Sequence, residues 1–188
     1  MARALTTQEY NSIIDTMKLG FKLEEKIIRS NNRIATALVI QANLGLRIGD
    51  VLNLRLDDII RDGDRYRLDI VEEKTSKKRT FTVPIEIYNY IRLYTMDNGI
   101  KPSAKIFDLS VRAVQKHLKV VCTYLGIEGV STHSFRKYFA TNIYINNNYN
   151  IALVRELLQH SDIKTTQRYI GVSSKEVEQA LSSHICLR

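Results

Sequence analysis

Apolar and polar positions follow two different rhythms along this chain. In the first stretch, apolar residues recur every three or four positions. Ile13, Ile14, Met17 and Phe21 form one run, and Ile34, Leu38 and Ala42 the next. That spacing gathers them on one face of an α-helix. Thr6-Thr7-Gln8-Glu9 reads as a capping box, in which each side chain accepts a backbone N–H that the first helical turn leaves open. It predicts a helix from there to about Arg29. A second helix is predicted over about Asn32–Leu44, stopped at Gly45. A third begins near Gly49 and carries Val51, Leu52 and Leu54.

After residue 58 the rhythm shortens to two. Ile59-Ile60, Tyr66–Val71 and Arg79–Val83 alternate apolar with polar residues, and Asp62-Gly63-Asp64 reads as a turn. They predict a three-stranded antiparallel meander whose last two strands are joined by Glu73–Lys78. Pro84 opens another helix, about Ile85–Asn98. Further helices are expected at about 110–126, 134–147, 150–158 and 173–183. Gly99-Ile-Lys-Pro102 and Gly126-Ile-Glu-Gly129 punctuate them. No internal repeat, low-complexity tract or linker interrupts the pattern. The expectation is one α+β domain over 1–188, mostly helical, with a small sheet set among helices.

Composition narrows the class. With 44% hydrophobic residues over 188 positions, the chain can bury a sizeable core and is not a disordered tail. Lys and Arg number 28 against 20 Asp and Glu, a net charge of +8. That excess favours a polyanionic partner, nucleic acid before an anionic membrane surface. No apolar run approaches the roughly 18 residues of a membrane span, and MARALTTQEY lacks the apolar stretch of a signal peptide. Only Cys122 and Cys186 occur, without a C-x-x-C pair, so neither a zinc site nor a disulfide framework is indicated. A reducing, cytoplasmic setting is the expectation.

Five segments carry candidate chemistry, each with a plainer alternative. Arg47, between a helix stop and a helix start, could grip a phosphate bidentately or simply occupy a surface loop. Lys74, Lys77, Lys78 and Arg79 could follow a nucleic-acid backbone or form a solvated turn. A lysine there could also protonate a leaving oxygen. His133 and Arg136, three apart on a helix, share a face and combine a proton carrier with a fixed charge. In the last two segments His160 sits in a turn, and Thr165-Thr166 begin a short helix that presents Tyr169. Among cations a tyrosine can become a phenolate nucleophile, although most of the ten tyrosines should be packing residues.

Taken in order, Arg47, Lys74, His133, Arg136, His160 and Tyr169 resemble the active-site set of the tyrosine recombinases, the phage integrase family. Leu44-Gly-Leu-Arg47-Ile-Gly-Asp50-Val-Leu-Asn-Leu54 is similar to the family's first arginine box. His133-Ser-Phe-Arg136-Lys137 is similar to its H-x-[LF]-R-[HK] box. Leu158-Gln-His160-Ser-Asp-Ile-Lys-Thr165-Thr166-Gln-Arg-Tyr169 is similar to its L-x-H-x-x-[IL]-x-T-T-x-x-Y box. The match covers about residues 34–172 and implies the family's catalytic-domain fold.

The resemblance also implies roles. Tyr169 attacks a DNA phosphate and forms a 3′-phosphotyrosyl bond, releasing a 5′-hydroxyl. Arg47 and Arg136 grip the nonbridging oxygens, and Lys74 protonates the leaving oxygen, with Lys77 the alternative. His133 assists proton transfer, and His160 bonds the phosphate or buttresses the site. Asp50, where the family often has Glu, supports Arg47. Lys77, Lys78 and Arg79 are expected to contact the DNA backbone. No cofactor or metal is implied. The expected partner is double-stranded DNA, with a homo-tetramer on DNA for a full-length protein and a monomer for the isolated domain. A bacterial or mobile-element origin is expected.

Lys137 and Gln159 depart from the family's usual His and Gly without removing a reactive group. The stretch 1–33 is too short for the family's N-terminal core-binding domain, so an isolated catalytic domain of a longer protein is expected, ahead of a naturally short member. The predicted helix within 173–188 could pack on its own domain or dock in trans. The competing reading is a catalytically idle DNA-binding or assembly module on the same fold.

Overall fold

The computed structural model describes residues 2–71, 73, 76, 78–160 and 162–170. The described chain divides into two compact units, Met1–Phe139 and Ala140–Arg188.

In the first unit, α1 spans Thr7–Leu19 and is opened by the capping box, with both reciprocal bonds of Thr6 and Glu9 present. The helix stops ten residues before the predicted end. Gly20 adopts φ 74°, and the chain turns into a hairpin of β1 (Phe21–Leu23) and β2 (Lys26–Ile28). A Cβ on Gly20 would stand 2.7 Å from both the Ile28 carbonyl oxygen and the Ser30 nitrogen. Glycine therefore permits the hairpin to close against the helix end. Phe21, expected on the helix face, instead stacks on Tyr124 with ring centroids 4.4 Å apart.

Asn31 caps α2 (Asn32–Leu44) by accepting from the Ile34 N–H, and Gly45 ends it in the left-handed conformation. This termination agrees with the expectation. α3 (Ile48–Asn53) follows, then a 3₁₀ turn over Leu56–Asp58. The meander forms as β3 (Ile59–Asp62), β4 (Arg65–Val71) and β5 (Lys78–Val83), antiparallel in the order β3-β4-β5. Pro84 precedes α4 (Ile85–Asp97). α5 (Val111–Leu125) is capped by Ser110 and closed by left-handed Gly126.

These elements share one core. Ile13 and Met17 of α1, Leu38 of α2, Leu118 and Val121 of α5, and Leu68 of β4 are all essentially inaccessible. α2 packs on α1, α3 and α4, while α5 packs on α1 and α3. Acidic residues in and beside the meander serve structure. Asp62 and Asp69 both pair with Arg67, and Asp58 accepts the Arg55 N–H. Burial pushes the Cys122 thiol up to about 11, which keeps it protonated and unreactive.

α6 (Thr132–Asn146) begins in the first unit, one turn ahead of Arg136. The second unit holds α7 (Ile151–Leu158) and α8 (Ile163–Ile170), which pack on one another. Among the described residues no helix is long and apolar enough to cross a membrane. The helix predicted within 173–183 lies outside the described residues.

Candidate functional site

In the first unit, Arg47 is the N-cap residue of α3, two positions beyond the glycine that ends α2. Gly45 is required twice over there. Its φ is 60°, and a Cβ would collide with the Phe139 ring. Arg47 keeps 24% of its side chain exposed, while Asp50, one turn on, is buried with its carboxylate 4.0 Å from the guanidinium. Such a pair fixes the direction of the arginine while leaving its outer edge to accept a ligand. The second oxygen of Asp50 accepts the Glu73 N–H at 2.9 Å. Glu73 also receives a bond from the Asn53 amide at 3.4 Å. The β4–β5 connection is thus tied to α3 at Glu73. Lys74 and Lys77 lie outside the described residues.

His133 and Arg136 both fall on α6. The hydroxyls of Ser131 and Ser134 both accept backbone N–H groups at the start of that helix. The Ser131 N–H donates to the Ser134 hydroxyl at 3.1 Å, and the His133 N–H donates to the Ser131 hydroxyl at 3.3 Å. His133 is exposed, whereas Arg136 is only 2% exposed. The helix starts two residues earlier than the pattern predicted, which takes His133 into its first turn. The two thus share a helical face with the histidine nearer to solvent.

In the second unit, Gln159 ends α7 in the left-handed conformation, φ 52°, and His160 follows in the turn. The His160 Nδ1 lies 3.0 Å from the hydroxyl of Thr166, itself fully buried. The His160 and Tyr169 rings meet edge to face with centroids 5.2 Å apart. The Tyr169 hydroxyl oxygen is shielded from solvent. Thr166 and Tyr169 are i and i+3 on α8, so one turn of helix brings both to the histidine.

One expected DNA contact is corrected. Lys78 is exposed at the start of β5, but Arg79 is only 1% exposed. Its guanidinium donates to the backbone carbonyls of Leu44 and Gly45 and lies 4.7 Å from the Phe81 ring centroid. A side chain so enclosed does not reach a DNA backbone. The alternation carried the signal, because Arg79 is in phase with Phe81 and inward-facing Val83. Gln41, Glu73 and Thr166 were also missed as supporting residues. Nothing local in the sequence separates Gln41 and Glu73 from ordinary polar positions, whereas Thr166 already stands in the threonine pair of the last box.

The sequence model of the phage integrase family matches residues 3–176. The tyrosine recombinase XerA of Pyrococcus furiosus is 28% identical over 96% of this chain, and the match covers 61% of that protein. XerC of Caldanaerobacter subterraneus subsp. tengcongensis is 27% identical over 96% of this chain and is covered over 50% of its length. The chain thus spans roughly half to three-fifths of these relatives.

Among solved structures, the XerH site-specific recombinase bound to palindromic difH substrate, a post-cleavage complex, superposes with a TM-score of 0.70 at 20% identity. It covers 96% of this chain, and the match covers 52% of that one. The catalytic domain of bacteriophage HP1 integrase superposes with a TM-score of 0.67 at 18% identity, over 98% of this chain and 96% of that one. The expected fold is therefore the observed one, and the chain belongs to the phage integrase family of tyrosine recombinases.

Proposed function

We propose that this chain is the catalytic part of a site-specific DNA recombinase that cleaves and rejoins strands without a metal, through a 3′-phosphotyrosyl intermediate. The arrangement of His160, Thr166 and Tyr169 within one unit supports the reading most. A tyrosine acting as nucleophile needs a neighbouring group whose position is itself fixed, and Thr166 fixes that group.

In this mechanism the Tyr169 oxygen attacks the scissile phosphorus as its proton passes to His133. The bond to the 5′ oxygen breaks, and that oxygen takes a proton from Lys74. Arg47, directed by Asp50, and Arg136 stabilise the charge on the nonbridging oxygens. The phosphotyrosyl bond conserves the energy of the phosphodiester. A 5′-hydroxyl from another strand can therefore reverse the step, without ATP. Lys78, and Lys77 beside it, serve the DNA backbone electrostatically. The full-length protein is proposed to act as a homo-tetramer on double-stranded DNA.

The test is a pool of nicked duplexes of randomised sequence, from which cleavage cannot be reversed, incubated with the chain and chelator. Wild type should give SDS-resistant protein–DNA adducts, and Tyr169→Phe none. Adducts that survive in Tyr169→Phe would remove Tyr169 as nucleophile. DNA binding without adducts in the wild type would favour the idle assembly module.

A further inference from the structure

Two buried polar side chains of the first unit meet at one turn. The Arg79 guanidinium donates to the Leu44 carbonyl at 3.4 Å and to the Gly45 carbonyl at 3.5 Å. The Gln41 amide nitrogen donates to the Leu46 carbonyl at 3.3 Å. Three successive carbonyls therefore accept from two buried side chains, one from β5 and one from α2. They include the last carbonyl of α2, where the helix dipole is negative and a cation is favoured. Arg79 and Gln41 are each 1% exposed. Burying a guanidinium is costly unless its donors are met. Here the partners are backbone atoms of the segment that leads directly into Arg47.

We infer that Arg79, with Gln41 beside it, is a positioning residue for Arg47. It clamps the path of Leu44–Leu46 and so sets the direction in which Arg47 leaves the turn. Asp50 holds the same arginine from the helical side. The planar fork matters because it reaches two carbonyls at once, which a lysine ammonium does less well. The inference rests on the proposed role of Arg47 at the phosphate.

The test compares Arg79→Met and Arg79→Lys in the whole chain by three readouts. Adduct formation on the nicked duplexes should fall about 10- to 100-fold in Arg79→Met, the scale of a small misplacement of a reacting group, with partial recovery in Arg79→Lys. The salt dependence of duplex binding should keep its slope, because a buried guanidinium neutralises no phosphate. The backbone amide resonances of Gly45–Ile48 should shift in Arg79→Met.

A slope reduced by about 0.9 would make Arg79 a DNA contact and overturn the inference. An unchanged adduct rate would also overturn it. If wild type forms no adduct, the functional reading fails separately, and unshifted amides in Arg79→Met would then sink the clamp. Should Arg79→Met not fold, Gln41→Leu breaks only the bond to Leu46, and the same readouts apply with smaller changes. The Gln41 amide oxygen is buried without a hydrogen-bond partner among the described residues, so its removal strands no donor, and the substitution takes a bond from the Leu46 carbonyl alone.

Discussion

The two units solve different problems with different amounts of structure. The first carries its cations on a deep scaffold. Arg136 and Asp50 are buried, α1 and α2 are 13 residues long, and α5 is 15. The second presents Tyr169 on α8, which has eight residues, after an α7 of equal length. Isolated helices shorter than roughly 12–15 residues are marginal in water, so α8 depends on its packing and on the His160–Thr166 bond. Charges that must meet a phosphate need fixed positions before it arrives. A tyrosine proposed as nucleophile needs instead a local partner that sets its ring.

The largest test of that contrast is Tyr169→Phe. It should abolish the covalent adduct while leaving duplex affinity within about twofold, measured by gel shift beside SDS gels. Arg47→Ala should slow adduct formation about 100- to 1,000-fold, as loss of one oxyanion donor does elsewhere. An equal loss of affinity would make Arg47 a binding residue. Thr166→Val should cost about tenfold in adduct rate, because His160, which packs against Tyr169, loses the bond that orients it. An unaltered rate would remove His160 as a support of Tyr169.

Two predictions probe the scaffold instead. Leu38→Ala, at a fully buried position, should destabilise the first unit by about 2–5 kcal/mol in denaturant unfolding. The smallest effect concerns Glu9, whose carboxyl is held down to about 2 chiefly by the Arg3 guanidinium. A depressed carboxyl contributes stability that is present above its unfolded value, near 4.5, and is lost as pH falls through about 2. Glu9→Gln should flatten the stability profile across that window and leave the rest of the profile alone.

Much of this was legible in the sequence because the governing interactions are local. Thr6 and Glu9 cap α1, Gly45 and Gly126 end α2 and α5, and alternation located all three meander strands. The β1–β2 hairpin was not legible. Residues 20–29 keep enough helical periodicity to continue α1, and the decision rests on Gly20 fitting against Ile28 and Ser30. Arg79 was misplaced for a related reason. A charge among lysines reads as solvent-facing until something inside can accept its hydrogen bonds.

The sequence by itself determined the helical and strand periods, the stops, and the order of Arg47, His133, Arg136, His160 and Tyr169. Each depends on residues within a few positions of one another, or on the chemistry of the side chain alone. Only the tertiary structure decided that Arg79 turns inward, that Asp50 reaches both Arg47 and Glu73, and that Thr166 holds His160. The physical reason is that a polar group can be buried only where the fold brings it a partner. For Arg79 those partners are carbonyls more than thirty residues away in the chain.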